Sequence, residues 1–317
     1  MSFNSICLIS GSANPPLSRA ISEQAKIRLG EVSLRRFSDG EIFVQIEENV
    51  RGSHAYVVQP TCPPVNDNLM ELLILIDALK RASVESITAV VPYYGYARQD
   101  RKVSPRTPIS AKLVADLLQA AGIDRMVSLD LHAGQIQGYF DVPFDNLYGL
   151  DVLAKHLGAQ VSNNVVVVSP DAGGVLRARA FAKTLHASLA IIDKRRPNAN
   201  ESAVMNIIGE VKDCDCIIVD DMVDTAGTLT NCAAALKEAG AQKVIAAATH
   251  GVLSGPAIGR LEKSQLNNLV ITDTIPVKEE DKTRGRIEVV SCAGLLAEAI
   301  KRIHTGDSVS GLFTDIA

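Results

Sequence analysis

The chain has no tryptophan, and aromatic residues fill only 4% of its 317 positions. It has no basic excess either: 32 Lys and Arg stand against 36 Asp and Glu, for a formal net charge of -4 and a pI near 5.9. A surface of that sign does not gather a polyanion by its phosphates, so nucleic acid is not an expected partner. No stretch approaches the roughly 20 apolar residues that span a bilayer, so no membrane partner is expected. The opening residues surround one short apolar stretch, 6–9, and lack the charged start and long apolar middle of a signal peptide. Of the six cysteines only Cys214 and Cys216 lie close together, and a spacing of one residue is neither a CxxC redox pair nor half of a usual zinc site. There is no GxxxxGK[ST] phosphate loop and no protein-kinase signature. The expected setting is a soluble, reducing, cytoplasmic one in which the cysteines fill the core.

What is present is apolar sequence in quantity: at 47% hydrophobic residues the chain can build two ordinary domains. Short β-rich runs alternate with amphipathic helical stretches, at 55–58, 68–81, 87–91, 109–121 and 126–129, then at 165–168, 175–185, 189–192, 217–219, 228–239 and 244–248. Runs such as VVVV and IIV are apolar at every position, as parallel strands covered on both faces must be. The expected fold is α/β, with two tandem open, mostly parallel sheets flanked by helices. Residues 56–91 and 217–248 share the order strand, loop, helix, strand, which suggests an ancient duplication. Pro143, Asn146 and Gly149 interrupt the periodicity. The expected domains are therefore 1–147 and 148–317, with the last ~10 residues returning to the first domain.

The two halves differ in their first loops. The earlier one, residues 59–64, reads QPTCPP, whereas the later one carries Asp220, Asp221, Asp224, Thr225, Ala226, Gly227 and Thr228 between an apolar strand and a helix. Ligands of open α/β sheets sit beyond the carboxyl ends of strands. Small residues, hydroxyls and closely spaced amides at a helix N-terminus cradle a phosphate, and neighbouring carboxylates accept from vicinal sugar hydroxyls. Together they specify a ribose phosphate. The plainer reading is an N-capped helix after an acidic turn, which uses the same residue types.

The stretch IIVDDMVDTAGT, residues 217–228, resembles the phosphoribosyl-diphosphate-binding motif of the type I phosphoribosyltransferase superfamily. RFSDGE at 36–41, YYGYARQDR at 93–101, DLHA at 130–133 and IDKRRP at 192–197 narrow the resemblance to the ribose-phosphate pyrophosphokinase family, over roughly 34–313. Both domains would then have the phosphoribosyltransferase-like fold, the first serving nucleotide and assembly and the second ribose 5-phosphate. The implied reaction transfers the β,γ-pyrophosphoryl group of ATP to the anomeric hydroxyl of ribose 5-phosphate, for nucleotide, histidine and tryptophan biosynthesis. By the same resemblance Phe37 and Arg98 stack on adenine, and Asp39, Gly40, Glu41 and Gln99 complete the ATP contacts. An aromatic face and a guanidinium plane are natural partners of a purine, although from sequence alone Phe37 also reads as core and Arg98 as a surface cation. His132 and Asp171, both at strand ends, are implied ligands of Mg2+; a lone histidine there is otherwise a structural residue. Lys194 and Arg196 are the implied catalytic cations, Arg196 also touching ribose 5-phosphate, where the plain reading is a solvated basic loop. A homohexamer with ADP and phosphate as effectors is implied as well. One departure is Gly251, after Thr249 and His250 where the family usually has proline, which is expected to loosen that loop.

Two alternatives stay open. A transferase that consumes phosphoribosyl diphosphate shares the 220–228 loop but needs neither a second half nor the 36–41 and 93–101 stretches. A regulatory subunit would bind nucleotide without turnover, yet such a subunit typically loses loop residues that are all kept here.

Overall fold

The computed structural model describes residues 6–162, 164–195 and 204–313. It divides into two compact units: the described residues of Met1–Tyr148 with Thr274–Pro276 and Cys292–Phe313, and those of Gly149–Asp273 with Val277–Ser291.

The first unit runs β1 (Ile6–Ser10), α1 (Pro15–Ala25), β2 (Val32–Arg36), β3 (Ile42–Ile46), β4 (His54–Val58), α2 (Val65–Arg81), β5 (Ser86–Val91), α3 (Ser110–Ala121), β6 (Arg125–Leu129) and β7 (Phe144–Leu147). Its sheet has the order β1-β4-β5-β6-β7 with every pair parallel, while β2 and β3 form a separate antiparallel pair. Successive strand residues point to opposite faces, and here both faces are covered. Ile9, Val57, Ala89 and Val91 join Leu72 and Ile76 of α2 and Leu118 of α3. Leu8, Tyr56, Val58 and Val90 meet Leu17 and Ile21 of α1 on the other side. That division is why these strands read as unbroken apolar runs. Pro15 opens α1, and the Asn14 side chain accepts from the Leu17 amide at 3.2 Å, satisfying one donor of the first turn.

The second unit runs α4 (Leu150–Gly158), β8 (Val165–Ser169), α5 (Val175–Leu185), β9 (Ser188–Arg195), β10 (Val204–Ile208), β11 (Asp215–Val223), α6 (Gly227–Glu238), β12 (Lys243–Gly251), α7 (Ala257–Lys263), β13 (Asn268–Thr272), α8 (Glu279–Gly285) and β14 (Ile287–Val290). The sheet order is β10-β9-β8-β11-β12-β13-β14, parallel throughout except for β10 against β9. From β8 the chain crosses to β9 on one side, and from β11 it crosses to β12 on the other. The two crossovers diverge at the carboxyl ends of β8 and β11, which is the switch point where open sheets form a crevice.

After this unit the chain returns to the first one, where α9 (Ala293–Thr305) lays Leu296 and Ile300 into the α1 cluster.

Each α/β pattern expected from the sequence appears, with shifts at its ends. β11 does not stop at Val219: Asp220, Met222 and Val223 continue in register with Ala248, His250 and Gly251 of β12. The two aspartates break the apolar run but not the ladder. Gly251 is a correction of another kind. It closes β12 and is buried, and a Cβ there would lie 2.4 Å from Cδ1 of Ile271, whose side chain would have to shift. It is a tight packing position in a strand rather than a loosened loop. All six cysteines are buried and free, and burial pushes the thiols of Cys7 and Cys62 up to about 11, so they act as core residues. No helix among the described residues is long and apolar enough to cross a membrane.

Candidate active site

In the second unit the crevice holds a cavity of about 180 Å³ whose lining includes Asp171, Asp220 and the turn from Asp224 to Thr228. β8 pairs with β11 only as far as Val168 and Ile218. Beyond that point β11 keeps β12 on one edge and opens the other toward the cavity, so Asp220 enters the crevice from a rigid strand.

The turn into α6 is shaped for an anion. Ala226 takes a left-handed conformation (φ 59°), and no side chain caps the helix that follows. The plainer expectation of a side-chain-capped helix is therefore not met, and first-turn amides stay available to an anionic ligand. The outer side of the turn is braced. Ser254 donates through its hydroxyl to Oδ1 of Asp224 and through its amide to the Asp224 carbonyl at 3.0 Å, while Nη1 of Arg260 donates to the Thr225 carbonyl at 2.9 Å. Thr230 Oγ1 donates to the Ala226 carbonyl at 3.0 Å. At Gly227 a Cβ would come within 3.1 Å of Nη1 of Arg260, so glycine keeps that brace and the approach to the backbone open.

The acidic groups are held just as firmly. After β8, Oδ1 of Asp171 accepts from the Gly174 amide at 2.9 Å, and Ser169 Oγ donates to the Asp171 carbonyl at 2.7 Å. Asp220 accepts at Oδ1 from the Asp221 amide at 2.9 Å. Nη1 of Arg177, in the first turn of α5, stands 3.5 Å from that Oδ1 and 3.3 Å from Oδ1 of Asp221. The Asp220 side chain is 32% exposed and lines the cavity; that of Asp221 is 5% exposed and is absent from the lining. Burial, and after it the charge of Asp221, pushes the Asp220 carboxyl well above the usual carboxylate range, with Arg177 pulling the other way. Sequence reasoning had no access to Arg177, Ser254 or Arg260, because a cation or hydroxyl on a helix or loop surface carries no signal of its own.

Among the described residues no three His, Cys, Asp or Glu side chains gather into a ready metal site. Magnesium does not need one, since it keeps waters and takes one or two carboxylates beside substrate phosphates. Asp171 fits that demand, with Oδ1 fixed by Gly174 and Oδ2 left for the cavity. His132 is exposed just past the end of β6 in the first unit.

The residues expected around a nucleotide are all in the first unit. Phe37, Asp39, Gly40 and Glu41 form the turn between β2 and β3, closed by the Phe37 amide on the Glu41 carbonyl at 2.8 Å and by the Glu41 amide on Oδ1 of Asp39 at 3.1 Å. Gly40 has φ 97°, a value that this turn reserves for glycine. Phe37 is not a core residue: it is 50% exposed, with its ring edge-on to Phe43 at 5.7 Å. Arg98 and Gln99 are exposed in the segment after β5, where Gln99 accepts from the Ser110 hydroxyl. Lys194 stands on β9 opposite Met205, and Arg196 lies outside the described residues.

Two family models match stretches of this chain. Residues 6–122 match the N-terminal domain of ribose phosphate pyrophosphokinase, and residues 196–314 match the phosphoribosyl synthetase-associated domain. A ribose-phosphate pyrophosphokinase of Caldanaerobacter subterraneus subsp. tengcongensis is 58% identical over 312 residues, covering 98% of each chain. One of Neisseria meningitidis serogroup A is 54% identical over 314 residues, covering 99% of this chain and 96% of the relative. The crystal structure of phosphoribosylpyrophosphate synthetase from Mycobacterium smegmatis superposes with a TM-score of 0.89 at 43% identity, covering 96% of this chain and all of the other. A transferase-only reading does not account for likeness over both halves, and the chain belongs to the ribose-phosphate pyrophosphokinase family.

Proposed function

We infer that the protein is a ribose-phosphate diphosphokinase, converting ATP and ribose 5-phosphate to phosphoribosyl diphosphate and AMP. The observation that carries this is the crevice of the second unit, where a strand-end carboxylate and an uncapped helix N-terminus line one cavity in a chain of this family. The 5-phosphate sits against Asp224, Thr225, Ala226, Gly227 and Thr228, whose amides and hydroxyls supply the donors. Asp220 and Asp221 serve the ribose hydroxyls, Asp220 directly and Asp221 from behind. The exposed group of Phe37, Asp39, Gly40, Glu41, Arg98 and Gln99 takes ATP, with the purine against Phe37 and Arg98.

The anomeric hydroxyl attacks the β-phosphorus in line; the new O–P bond forms as the bond to the α-phosphate oxygen breaks, AMP leaves, and the hydroxyl proton passes to solvent. With both substrates fixed the step is effectively unimolecular. Lys194 and Arg196 neutralise charge on the transferring group, which is the main task in phosphoryl transfer. Asp171 would hold Mg2+ in the second unit, and His132 would contact Mg2+ in the first. When bound, the ion offsets charge on the ATP phosphates. We further assign the first unit to nucleotide binding and assembly, a homohexamer as the working form, ADP and phosphate as effectors, and a cytoplasmic location.

The test is incubation of the full chain with Mg-ATP and ribose 5-phosphate, resolving nucleotides by chromatography. AMP is expected in step with phosphoribosyl diphosphate. ADP alone would mean an ordinary kinase, and substrate binding without turnover would mean a regulatory subunit.

A further inference from the structure

We propose that Arg177 is a positioning residue for the sugar: it clamps the Asp220–Asp221 pair so that one carboxylate edge of Asp220 is held toward the cavity to accept from the ribose hydroxyls. This deepens the ribose 5-phosphate reading and rests on it.

Three observations carry the proposal. First, a single guanidinium nitrogen stands between Oδ1 of Asp220 and Oδ1 of Asp221, at 3.5 and 3.3 Å. Consecutive strand residues normally send their side chains to opposite faces, so a cation that reaches both acids ties the two faces at the strand end together. Second, Oδ1 of Asp220 also accepts the Asp221 amide at 2.9 Å. Oδ1 is thus committed to protein, while the Asp220 side chain still lines the cavity. Third, Asp171 and Arg177 are carried by one short piece of chain, the β8–α5 junction, which is pinned by the Gly174 amide on Asp171. The junction that supplies Asp171 therefore also sets the orientation of Asp220. Arg177 itself is not among the residues that line the cavity, so its effect on the sugar passes through Asp220.

The clamp makes a prediction about which part of the substrate is read. Removing it should not disturb the phosphate cradle at Asp224 to Thr228, nor ATP. It should weaken only the recognition of hydroxyls, because an acceptor free to rotate no longer meets two donors at once.

The experiment compares the full-length wild type, Arg177→Met and Arg177→Lys in binding ribose 5-phosphate and 2-deoxyribose 5-phosphate by titration calorimetry, with KM and kcat for both substrates. For Arg177→Met the expected loss is at least about tenfold in affinity for ribose 5-phosphate, the weight of one charge-assisted hydrogen bond, with KM for ATP within about twofold. Affinity for the 2-deoxy sugar should change much less, so that the preference for ribose shrinks. Arg177→Lys, which keeps the charge, should recover part of the preference. An equal loss for both sugars would make Arg177 a structural or general electrostatic residue and overturn the proposal, as would no loss for either. A wild type that binds no ribose 5-phosphate would instead overturn the underlying function.

Discussion

Ile218 and Val168 are the last residues at which β11 and β8 face each other in register. Two residues later, Asp220 is still paired with Ala248 of β12 but has an open edge on the other side. A strand with one neighbour removed is still held by the other and has an edge open beside the cavity, and the 224–228 turn follows within the same stretch of chain. The consequences can be checked one residue at a time.

Gly227→Val puts a branched side chain where a Cβ already meets Arg260 at 3.1 Å. It should displace that arginine from the Thr225 carbonyl and crowd the cradle. Initial-rate kinetics should show KM for ribose 5-phosphate rising by roughly tenfold or more, with KM for ATP little changed. A parallel rise in both would point to general unfolding.

Lys194→Ala should collapse turnover while both substrate affinities stay within roughly tenfold, as expected when an interaction is made mainly in the transition state. Unchanged kcat would remove Lys194 from the mechanism.

Asp220→Asn should stabilise the ligand-free protein at high pH while abolishing efficient turnover. The folded state raises the Asp220 pKa above its unfolded value, so ionising this group costs stability, and that cost grows as pH rises from the ordinary carboxylate range through the displaced pKa. Thermal unfolding should therefore give the variant a Tm advantage of about 3 °C near pH 9 that fades near pH 5. An advantage that is constant across pH would exclude this cause.

Glu71→Ala should destabilise the protein without touching the chemistry. The Glu71 carboxylate is buried and accepts from the Ser12 amide at 2.7 Å, the Ser12 hydroxyl at 2.6 Å and Nε2 of Gln59 at 2.8 Å. Its loss removes the shared acceptor of three donors, of which the Gln59 amide is buried and the Ser12 pair can turn to solvent, at a cost of about 1–3 kcal/mol in urea unfolding.

Much of this was legible beforehand because of burial on both faces. Strands β8 and β11 announce themselves by runs that stay apolar at every position, and α5 was read to its ends, Val175 and Leu185. What escaped is what depends on a partner distant in sequence. The extension of β11 through Asp220 is dictated by β12 alongside it, not by its own residues. β2 and β3 are only half-buried and lack a sustained apolar run, and they pair only with each other. In the site, the placing of the 224–228 loop between a strand and a helix was readable because small side chains and hydroxyls follow an apolar run there, and the structure puts that loop in the lining of the cavity. Arg177 and Arg260 were not, because their meaning lies in which carboxylate or carbonyl they reach.

Glu71 has a further consequence. In the first unit, the segments that leave β1 and β4 find an acceptor in the protein itself: a side chain of α2 occupies Ser12 and Gln59 permanently. In the second unit the start of α6 has no such resident. Where ribose 5-phosphate binds at 224–228 as proposed, the local order of that turn should track occupancy, while that of the Ser12–Gln59 corner, which carries its own acceptor, should not.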